Sequence, residues 1–282
     1  MRQPSPDRPT ASEVWREAAN QDRGRRRWEP EEVWVAETDV DEEPAAAGGS
    51  PLRRAGSAGA TRDDESSTAR GHRYAVPQPV VAELTAAVGA QRGGRLAGRL
   101  AGASRAYRHE RYQEARQLLR PLAAEAPDSP AVRELNGLAL YQVGQWQAAA
   151  KELEAYRHLT GSYDQHPVLA DCYRALRRYR EADALWDELR AASPDADLVA
   201  EGRIVAAGCR ADQGDVSGAL ALLEKGSRHV ERPRERHLRQ WYVLADLYER
   251  AGELPRAREL FRRVAAVDPE AFDVRQRMRA LR

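Results

Sequence analysis

The chain has 282 residues, with 45 Lys plus Arg against 44 Asp plus Glu, 42% hydrophobic residues and two cysteines. This length allows one large domain or two modest domains with a core of ordinary size. The net charge of +1 argues against bulk attraction to nucleic acid or an anionic membrane, since such binding needs a basic excess. Nearly all basic residues are arginine, which together with abundant alanine and glycine is typical of a GC-rich bacterial genome.

Neither a secretory signal nor a membrane span is predicted. The first residues, MRQPSPDRPTASEVWREAAN, include no apolar signal core, and no window approaches about eighteen uninterrupted apolar residues. Cys172 and Cys209 have no CxxC spacing and no neighbouring histidine, so neither a disulfide framework nor a zinc site is indicated. We therefore expect a cytoplasmic protein in a reducing compartment.

Residues 1–75 are predicted to form a disordered tail. Residues 42–73 contain almost no large apolar side chains and many Gly, Ser, Ala and charged residues. Such a composition does not bury enough apolar surface to offset the entropy of ordering the chain. We therefore interpret residues 42–73 as a linker.

Two tryptophan segments precede this linker, and both contain Glu-Val-Trp. Tryptophan is costly to leave in water, so the three tail tryptophans suggest docking on another surface: Trp15, Trp28 and Trp34. Between Trp28 and Leu52 there are eight acidic and no basic residues. The alternatives are a linear motif that folds on binding a partner and a tail that packs loosely on the rest of its own chain.

From residue 76 onward the pattern is helical. Apolar residues recur at i, i+3, i+4 and i+7, and no continuous alternating strand pattern is present. Residues 76–95 are predicted to form a short helix, Val80–Val88, followed by a connection. Pro79 can begin this helix and Gly89 can end it in a left-handed conformation.

An internal repeat determines the predicted architecture. Five blocks end in an alanine, and successive alanines are 34, 33, 37 and 38 residues apart: Ala115, Ala149, Ala182, Ala219 and Ala257. A small residue at a fixed position indicates that two helices cross closely there. Turn glycines are predicted to end the first helix of a hairpin, and prolines to end the second: Gly144, Gly214 and Gly252, then Pro127, Pro194 and Pro269.

This pattern resembles the tetratricopeptide repeat, a helix-turn-helix unit of about 34 residues. The last unit matches best, because its residues occupy the signature positions of the family: Trp241, Leu244, Tyr248, Gly252, Ala257, Phe261 and Pro269. The resemblance implies an all-α, right-handed solenoid of helical hairpins, with about five repeats over residues 96–269. Residues 270–282 resemble the polar capping helix of such arrays. Similar bacterial repeat proteins generally have no assigned partner.

The resemblance also implies a function in binding. In this family the first helices of the hairpins line a concave groove that binds peptide segments. Transferring the groove positions one by one gives eleven residues: Ser104, Tyr107, Arg108, Glu134, Leu138, Tyr141, Asp171, Arg174, Arg239, Tyr242 and Asp246. Tyrosines, arginines and acids suit a peptide with aromatic or charged anchors. The prediction is a non-enzymatic scaffold or adaptor for a protein or peptide, and the alternative is a hydrated face without a ligand.

Other functions are less well supported by the sequence. No HExxH, GxSxG, GxxxxGK[ST] or strand-linked GxGxxG motif is present, so we expect no enzymatic activity, metal, cofactor or small-molecule substrate. An enzyme with an unrecognised site is the least favoured alternative. The lysine and asparagine clamp of chaperone-binding relatives is missing, because Lys151 and Lys225 are the only lysines. The main alternative is an RNA-associated accessory protein that uses arginines of residues 228–239 and the C-terminal helix: Arg275, Arg277, Arg279 and Arg282.

Two local expectations follow from spacing. Three glycines four residues apart would form a bare stripe on a helix and allow close packing against the Val80–Val88 helix: Gly94, Gly98 and Gly102. Cys172 and Cys209 each precede their repeat alanine by ten residues. Equivalent positions in successive repeats lie about 10 Å apart, too far for a disulfide, so we expect two buried, unpaired thiols.

The charges are unevenly distributed along the chain. Residues 1–75 contain 12 basic and 15 acidic side chains, whereas residues 228–282 contain 14 basic and 9 acidic ones. Opposite charges at the two ends motivate the hypothesis that the tail folds back on the basic end and covers the groove until a partner displaces it.

Overall fold

The computed structural model describes residues 76–225, 230 and 232–281, which form twelve α-helices and no strand. The helices are α1 Gln78–Val88, α2 Ala90–Arg108, α3 Tyr112–Glu125, α4 Pro130–Gln142, α5 Trp146–Thr160, α6 His166–Ala175, α7 Tyr179–Ala192, α8 Ala196–Asp212, α9 Val216–Glu224, α10 Glu235–Arg250, α11 Leu254–Val267 and α12 Val274–Ala280. The predicted all-α class is confirmed. The predicted tail, with Trp15, Trp28 and Trp34, lies outside the described residues.

Successive helices pair into five hairpins that stack along the chain. Hairpins 1 to 5 consist of α2 with α3, α4 with α5, α6 with α7, α8 with α9, and α10 with α11. Each first helix also contacts the first helix of the next hairpin. α1 packs on α2 at one end of the array, and α12 packs on α11 at the other. α2 begins at Ala90, inside the range predicted as a connection.

The same turn ends the first helix of every hairpin. Five residues before each repeat alanine, the backbone has a positive φ between 59° and 88°: Glu110, Gly144, Arg177, Gly214 and Gly252. The sequence showed this turn only where it is glycine. In hairpins 1 and 3 a Glu and an Arg adopt the left-handed conformation, which costs a side-chain-bearing residue about 1–2 kcal/mol.

Small residues allow the helices of each hairpin to approach closely. All five repeat alanines are buried, with at most 2% exposure. In α4 and α8, a glycine also allows the two helices of the hairpin to approach closely. A Cβ at Gly137 would lie 2.6 Å from Cδ2 of Leu153, and a Cβ at Gly202 would lie 2.4 Å from Cδ2 of Leu189. The predicted close crossings are therefore confirmed.

Packing between α1 and α2 differs from the expectation for the glycine stripe. α1 has Pro79 in its first turn, and the chain leaves it at Gly89 with a φ of 85°. The close contact occurs at Gly93, where a Cβ would lie 2.6 Å from Cα of Thr85. The prediction for Gly94, Gly98 and Gly102 is wrong, because a Cβ at any of them would have no neighbour within 4 Å. The stripe lies on the side of α2 that faces away from α1.

This correction predicts opposite effects for neighbouring glycines. Gly98→Ala should raise the free energy of unfolding by about 0.5–1 kcal/mol, because alanine restricts the unfolded chain and favours helix. Gly93→Ala should lower it, because the added methyl meets the backbone of Thr85. Urea unfolding of both variants measures this difference, and a destabilised Gly98→Ala protein would contradict the placement of the stripe.

The two cysteines lie where the repeat spacing placed them. Cys172 in α6 and Cys209 in α8 are both fully buried and unpaired, as predicted. Burial raises the pKa of the Cys172 thiol well above its usual range and that of Cys209 to about 12. Both side chains therefore remain neutral thiols within the apolar core of hairpins 2 to 4.

Candidate functional site

The predicted groove residues fall into two sets by burial. Seven are buried inside the array, with 9% exposure or less: Ser104, Tyr107, Glu134, Leu138, Asp171, Arg174 and Tyr242. Four are partly exposed: Arg108, Tyr141, Arg239 and Asp246. The structure thus places most of the predicted contact residues within the helix layer, where neighbouring side chains contact them.

Polar pairs connect the first helices of hairpins 2 and 3. The hydroxyl of Tyr141 in α4 donates to Oδ2 of Asp171 in α6 at 2.7 Å. Nε2 of Gln165, the residue before α6, donates to Oε1 of Glu134 in α4 at 2.7 Å. Both contacts join a residue of one repeat to a residue about one repeat later. They fix the position of α6 relative to α4.

Arg174 connects hairpins 3 and 4. Its Nη1 donates to Oδ1 of Asp171 on the same helix at 3.0 Å, and its Nε donates to Oδ2 of Asp212 in α8 at 2.7 Å. Only 1% of the Arg174 side chain is exposed. The guanidinium lies against the backbone of Gly208, where a Cβ would be 2.8 Å from Cζ of Arg174. Glycine at this position makes room for the arginine.

The contacts continue to the C-terminal end. Arg236 and Arg239 of α10 pair with Asp197 and Glu201 of α8, the second pair at 3.4 Å. From α10 the hydroxyl of Tyr242 donates to Asp273, the residue before α12. Arg277 of α12 in turn donates to Asp246 of α10. Hairpin 5 thus contacts α12 as it would a following repeat.

We call these seven contacts the cross-repeat ladder: Tyr141–Asp171, Glu134–Gln165, Arg174–Asp212, Asp197–Arg236, Glu201–Arg239, Tyr242–Asp273 and Asp246–Arg277. Their partners are separated by 30 to 39 residues, which is about one repeat. Sequence reasoning found one member of most pairs and missed the other. The missed signal was a complementary polar residue about one repeat away from groove positions such as Glu134, Arg174 and Tyr242.

Burial and charge stabilise particular protonation states along the ladder. Burial and the carboxylate of Asp171 raise the pKa of Tyr141 well above its usual range. Burial and Asp273 do the same for the pKa of Tyr242. Burial opposes the charge of Arg174, but the carboxylates of Asp171 and Asp212 more than offset this, so its pKa is raised. Both tyrosines remain neutral donors and Arg174 remains charged at physiological pH.

An aromatic pair lies beside the ladder on hairpin 2. The rings of Tyr141 and Trp146 meet edge to face, with centroids 5.2 Å apart, and both side chains are partly exposed. Trp146 begins α5, directly after the turn that ends α4. The sequence predicted Tyr141 alone as a contact residue. In the structure, the indole ring of Trp146 lies beside Tyr141 and joins it as a candidate contact residue.

The C-terminal arginines are largely engaged with acids. Arg236, Arg239 and Arg277 belong to the cross-repeat ladder, and Arg275 pairs with Glu270. RNA binding through these side chains would compete with their existing ion pairs. Residues 228, 229, 231 and 282 lie outside the described residues.

Two general properties bear on the kind of site. Within residues 76–225 and 232–281, no helix is both long and apolar enough to cross a bilayer. The described part of the chain also contains no group of three His, Cys, Asp or Glu side chains placed to hold a metal ion.

Comparison with known proteins agrees with this geometry. Residues 100–165 and 238–280 each match a family model of the tetratricopeptide repeat. The fold is similar to the crystal structure of a thermophilic TPR protein of Thermus thermophilus, with a TM-score of 0.53 and 19% identity over 65% of this chain and 96% of that one. Nearly identical TPR-like repeats of Podosopora anserina align with a TM-score of 0.48 and 23% identity over 61% of this chain and 94% of that one.

A search of curated proteins finds no match to this sequence. The two matched segments cover hairpins 1 and 2 and hairpin 5 with its following helix, at opposite ends of the array. The hairpins between them have the same turn, the same buried alanine and the same stacking. The chain contains tetratricopeptide repeats at residues 100–165 and 238–280.

Proposed function

We propose that this chain is a non-enzymatic scaffold or adaptor that binds a peptide or protein segment along the first helices of its hairpins. The observation that supports this most is the repeat array itself, because stacked hairpins present an extended surface for a partner. Its partner-facing residues are the partly exposed members of the predicted groove. These are Arg108 of hairpin 1, Tyr141 of hairpin 2, and Arg239 and Asp246 of hairpin 5.

The buried members of the predicted groove have a different role in this proposal. Asp171, Arg174 and Tyr242 make contacts between successive repeats, so they set the spacing of the helices that a partner meets. Leu138 and Tyr107 belong to the apolar core. Substituting these residues would alter the shape of the whole array, and a loss of binding in such variants would not identify a contact.

The strongest anchor point is the Tyr141 and Trp146 pair. Large aromatic side chains supply much of the binding energy at protein interfaces, and edge-to-face pairs leave one ring face available for a further ring. Arg108 favours an acidic residue in the partner, whereas Arg239 and Asp246 already pair with Glu201 and Arg277, so a charged group of the partner would share or displace those contacts. The proposed ligand is therefore a segment with an aromatic anchor and flanking charges.

Site-specific crosslinking tests this function. A benzophenone amino acid at position 141 replaces a partly exposed aromatic side chain and removes its hydrogen bond to Asp171, so the helix content of the probe protein is first matched to that of the unmodified chain by circular dichroism. The same probe at position 190 is the control, because the Arg190 side chain on α7 is 64% exposed and outside the proposed surface. Irradiation in cell extract should attach a defined set of proteins to the probe at 141 and not to the probe at 190.

The partner should also be lost when the contact surface is changed without removing any further contact of the ladder. Trp146→Ala in the crosslinking protein should reduce capture, while circular dichroism confirms an unchanged helix content. Identical crosslinked proteins from positions 141 and 190 would refute binding along the first helices. RNA recovered from position 141 in place of protein would favour the RNA-associated alternative, and the cytoplasmic location stays a prediction.

A further inference from the structure

α2 is a basic helix without acidic residues, a property that it shares among the described helices only with the seven-residue α12. Its sequence, AQRGGRLAGRLAGASRAYR, contains five arginines and no acidic residue. Arg92, Arg95 and Arg99 are exposed and lie within two turns of one another. We call these three side chains the α2 arginine face.

A carboxylate at the end of α3 lies beside this face. Nη1 of Arg99 pairs with Oε1 of Glu125 at 2.6 Å, with both side chains well exposed. The hydrogen bond from Arg99 is the main cause that lowers the pKa of Glu125; desolvation opposes it, and the charges of Arg99, Arg92 and Arg95 each lower the pKa by a smaller amount. One carboxylate thus lies near three arginine side chains and pairs directly with Arg99 alone, which leaves an excess of positive charge on this surface.

The C-terminal end offers a weaker site for an acidic segment. Four of its arginines, Arg236, Arg239, Arg277 and Arg275, pair with Asp197, Glu201, Asp246 and Glu270. An acidic segment arriving there would have to displace carboxylates that already belong to the array. At the α2 arginine face it would add carboxylates where the array supplies too few.

The sequence contains one segment with matching chemistry. Residues 28–43 include eight acidic and no basic side chains, together with Trp28 and Trp34. Carboxylates pair with guanidinium groups, and an arginine over an indole ring adds a further attraction of about 0.5–1 kcal/mol at exposed sites. The second acidic cluster of the tail, Asp63 to Glu65, has Arg62 beside it and no tryptophan.

The connection is long enough for residues 28–43 to reach α2. Residues 44–75 are 32 in number and span at most about 110 Å when extended, whereas the 19 residues of α2 extend over about 28 Å. The chain also joins the array close to this helix. Val76 is buried in the same apolar cluster as Leu84 of α1 and Leu96 of α2.

We infer that residues 28–43 dock on the α2 arginine face of the same chain, with their carboxylates on Arg92, Arg95 and Arg99. The tail is then a ligand of hairpin 1 in cis. A partner with an acidic segment competes with it for the same arginines. This inference is independent of the identity of any partner bound along the first helices.

A charge swap in the full chain tests the docking. Glu31→Arg with Glu32→Arg should raise amide hydrogen exchange in α2 by at least about threefold relative to the unmodified protein, because the docked segment no longer shields the helix. Asp63→Arg with Asp64→Arg changes the tail charge by the same amount elsewhere and should leave α2 exchange unchanged. Adding Arg92→Glu and Arg95→Glu to the Glu31→Arg, Glu32→Arg protein should restore the slower exchange.

Three results would overturn the inference. Equal exchange of α2 in all the variants would show that the face has no tail bound. Equal acceleration by both tail variants would show a general effect of tail charge. Protection that disappears on dilution of the unmodified protein would assign the docked segment to a second copy of the chain. Far-ultraviolet circular dichroism of the variant with all four substitutions, at positions 31, 32, 92 and 95, shows whether the protein still folds.

Discussion

Replacing Asp171 with alanine is expected to lower the free energy of unfolding by about 3–5 kcal/mol, the largest effect of any single change considered for this protein. Asp171 is 5% exposed and accepts hydrogen bonds from Tyr141 and Arg174. Its removal leaves the guanidinium of Arg174, 1% exposed, with only Asp212 as a charged partner. The hydroxyl of Tyr141 also loses its acceptor. Denaturant unfolding followed by circular dichroism measures the loss.

α7 provides a matched control for this variant. Asp187 and Arg190 have the same i, i+3 spacing and the same 3.0 Å separation as Asp171 and Arg174, but their side chains are 65% and 64% exposed. Asp187→Ala should therefore cost no more than about 0.5 kcal/mol. Equal losses in the two variants would show that Asp171 acts as an ordinary surface residue. Asp171→Asn, which retains an acceptor oxygen, should show a smaller loss than Asp171→Ala.

Replacing Val274 with aspartate is expected to have the second largest effect, a loss of about 3 kcal/mol. Val274 is the first residue of α12, and it is completely buried in the apolar cluster that contains Phe261, Tyr242 and Leu281. A carboxylate at this position would be desolvated among apolar side chains and would separate α12 from hairpin 5. The apolar surface beneath α12 would then meet water.

Gln276→Asp is the control for the capping variant. It introduces the same group two residues later on the exposed side of α12, where about 0.5 kcal/mol or less is expected. Thermal unfolding compares the two proteins, and hydrogen exchange of α10 and α11 localises the effect. A Val274→Asp protein as stable as the Gln276→Asp protein would mean that α12 does not stabilise the array.

The sequence was sufficient to predict the fold of the described residues. Five alanines at one position of the repeat and three turn glycines determine where helices cross and end, and these constraints are local. The sequence did not identify Glu110 and Arg177 as turn residues. The hairpin imposes their left-handed backbone, and neither residue type is one that indicates such a turn. The glycine stripe of α2 was placed wrongly, because spacing gives a helix face and does not say which neighbour that face meets.

The site was only partly predictable. Family positions identified Tyr141, Asp171 and Arg174 as polar residues on the first helices, but a repeat position does not say whether a side chain reaches a ligand or the next repeat. That choice depends on the residue one repeat later, such as Asp212 for Arg174. The aromatic pair of Tyr141 and Trp146 depends on the turn that returns α5 beside α4. Such contacts become visible only when the helices are stacked.

Hydrogen exchange across the array of the Asp171→Ala protein tests most directly that side chains of the first helices hold successive repeats together. Because Asp171 links Tyr141 of α4 with Arg174, and Arg174 links α6 with Asp212 of α8, exchange should accelerate in α4, α6 and α8 together. The Asp187→Ala protein should match the unmodified chain. Acceleration confined to α6, with α4 and α8 unchanged, would contradict a ladder that extends from repeat to repeat.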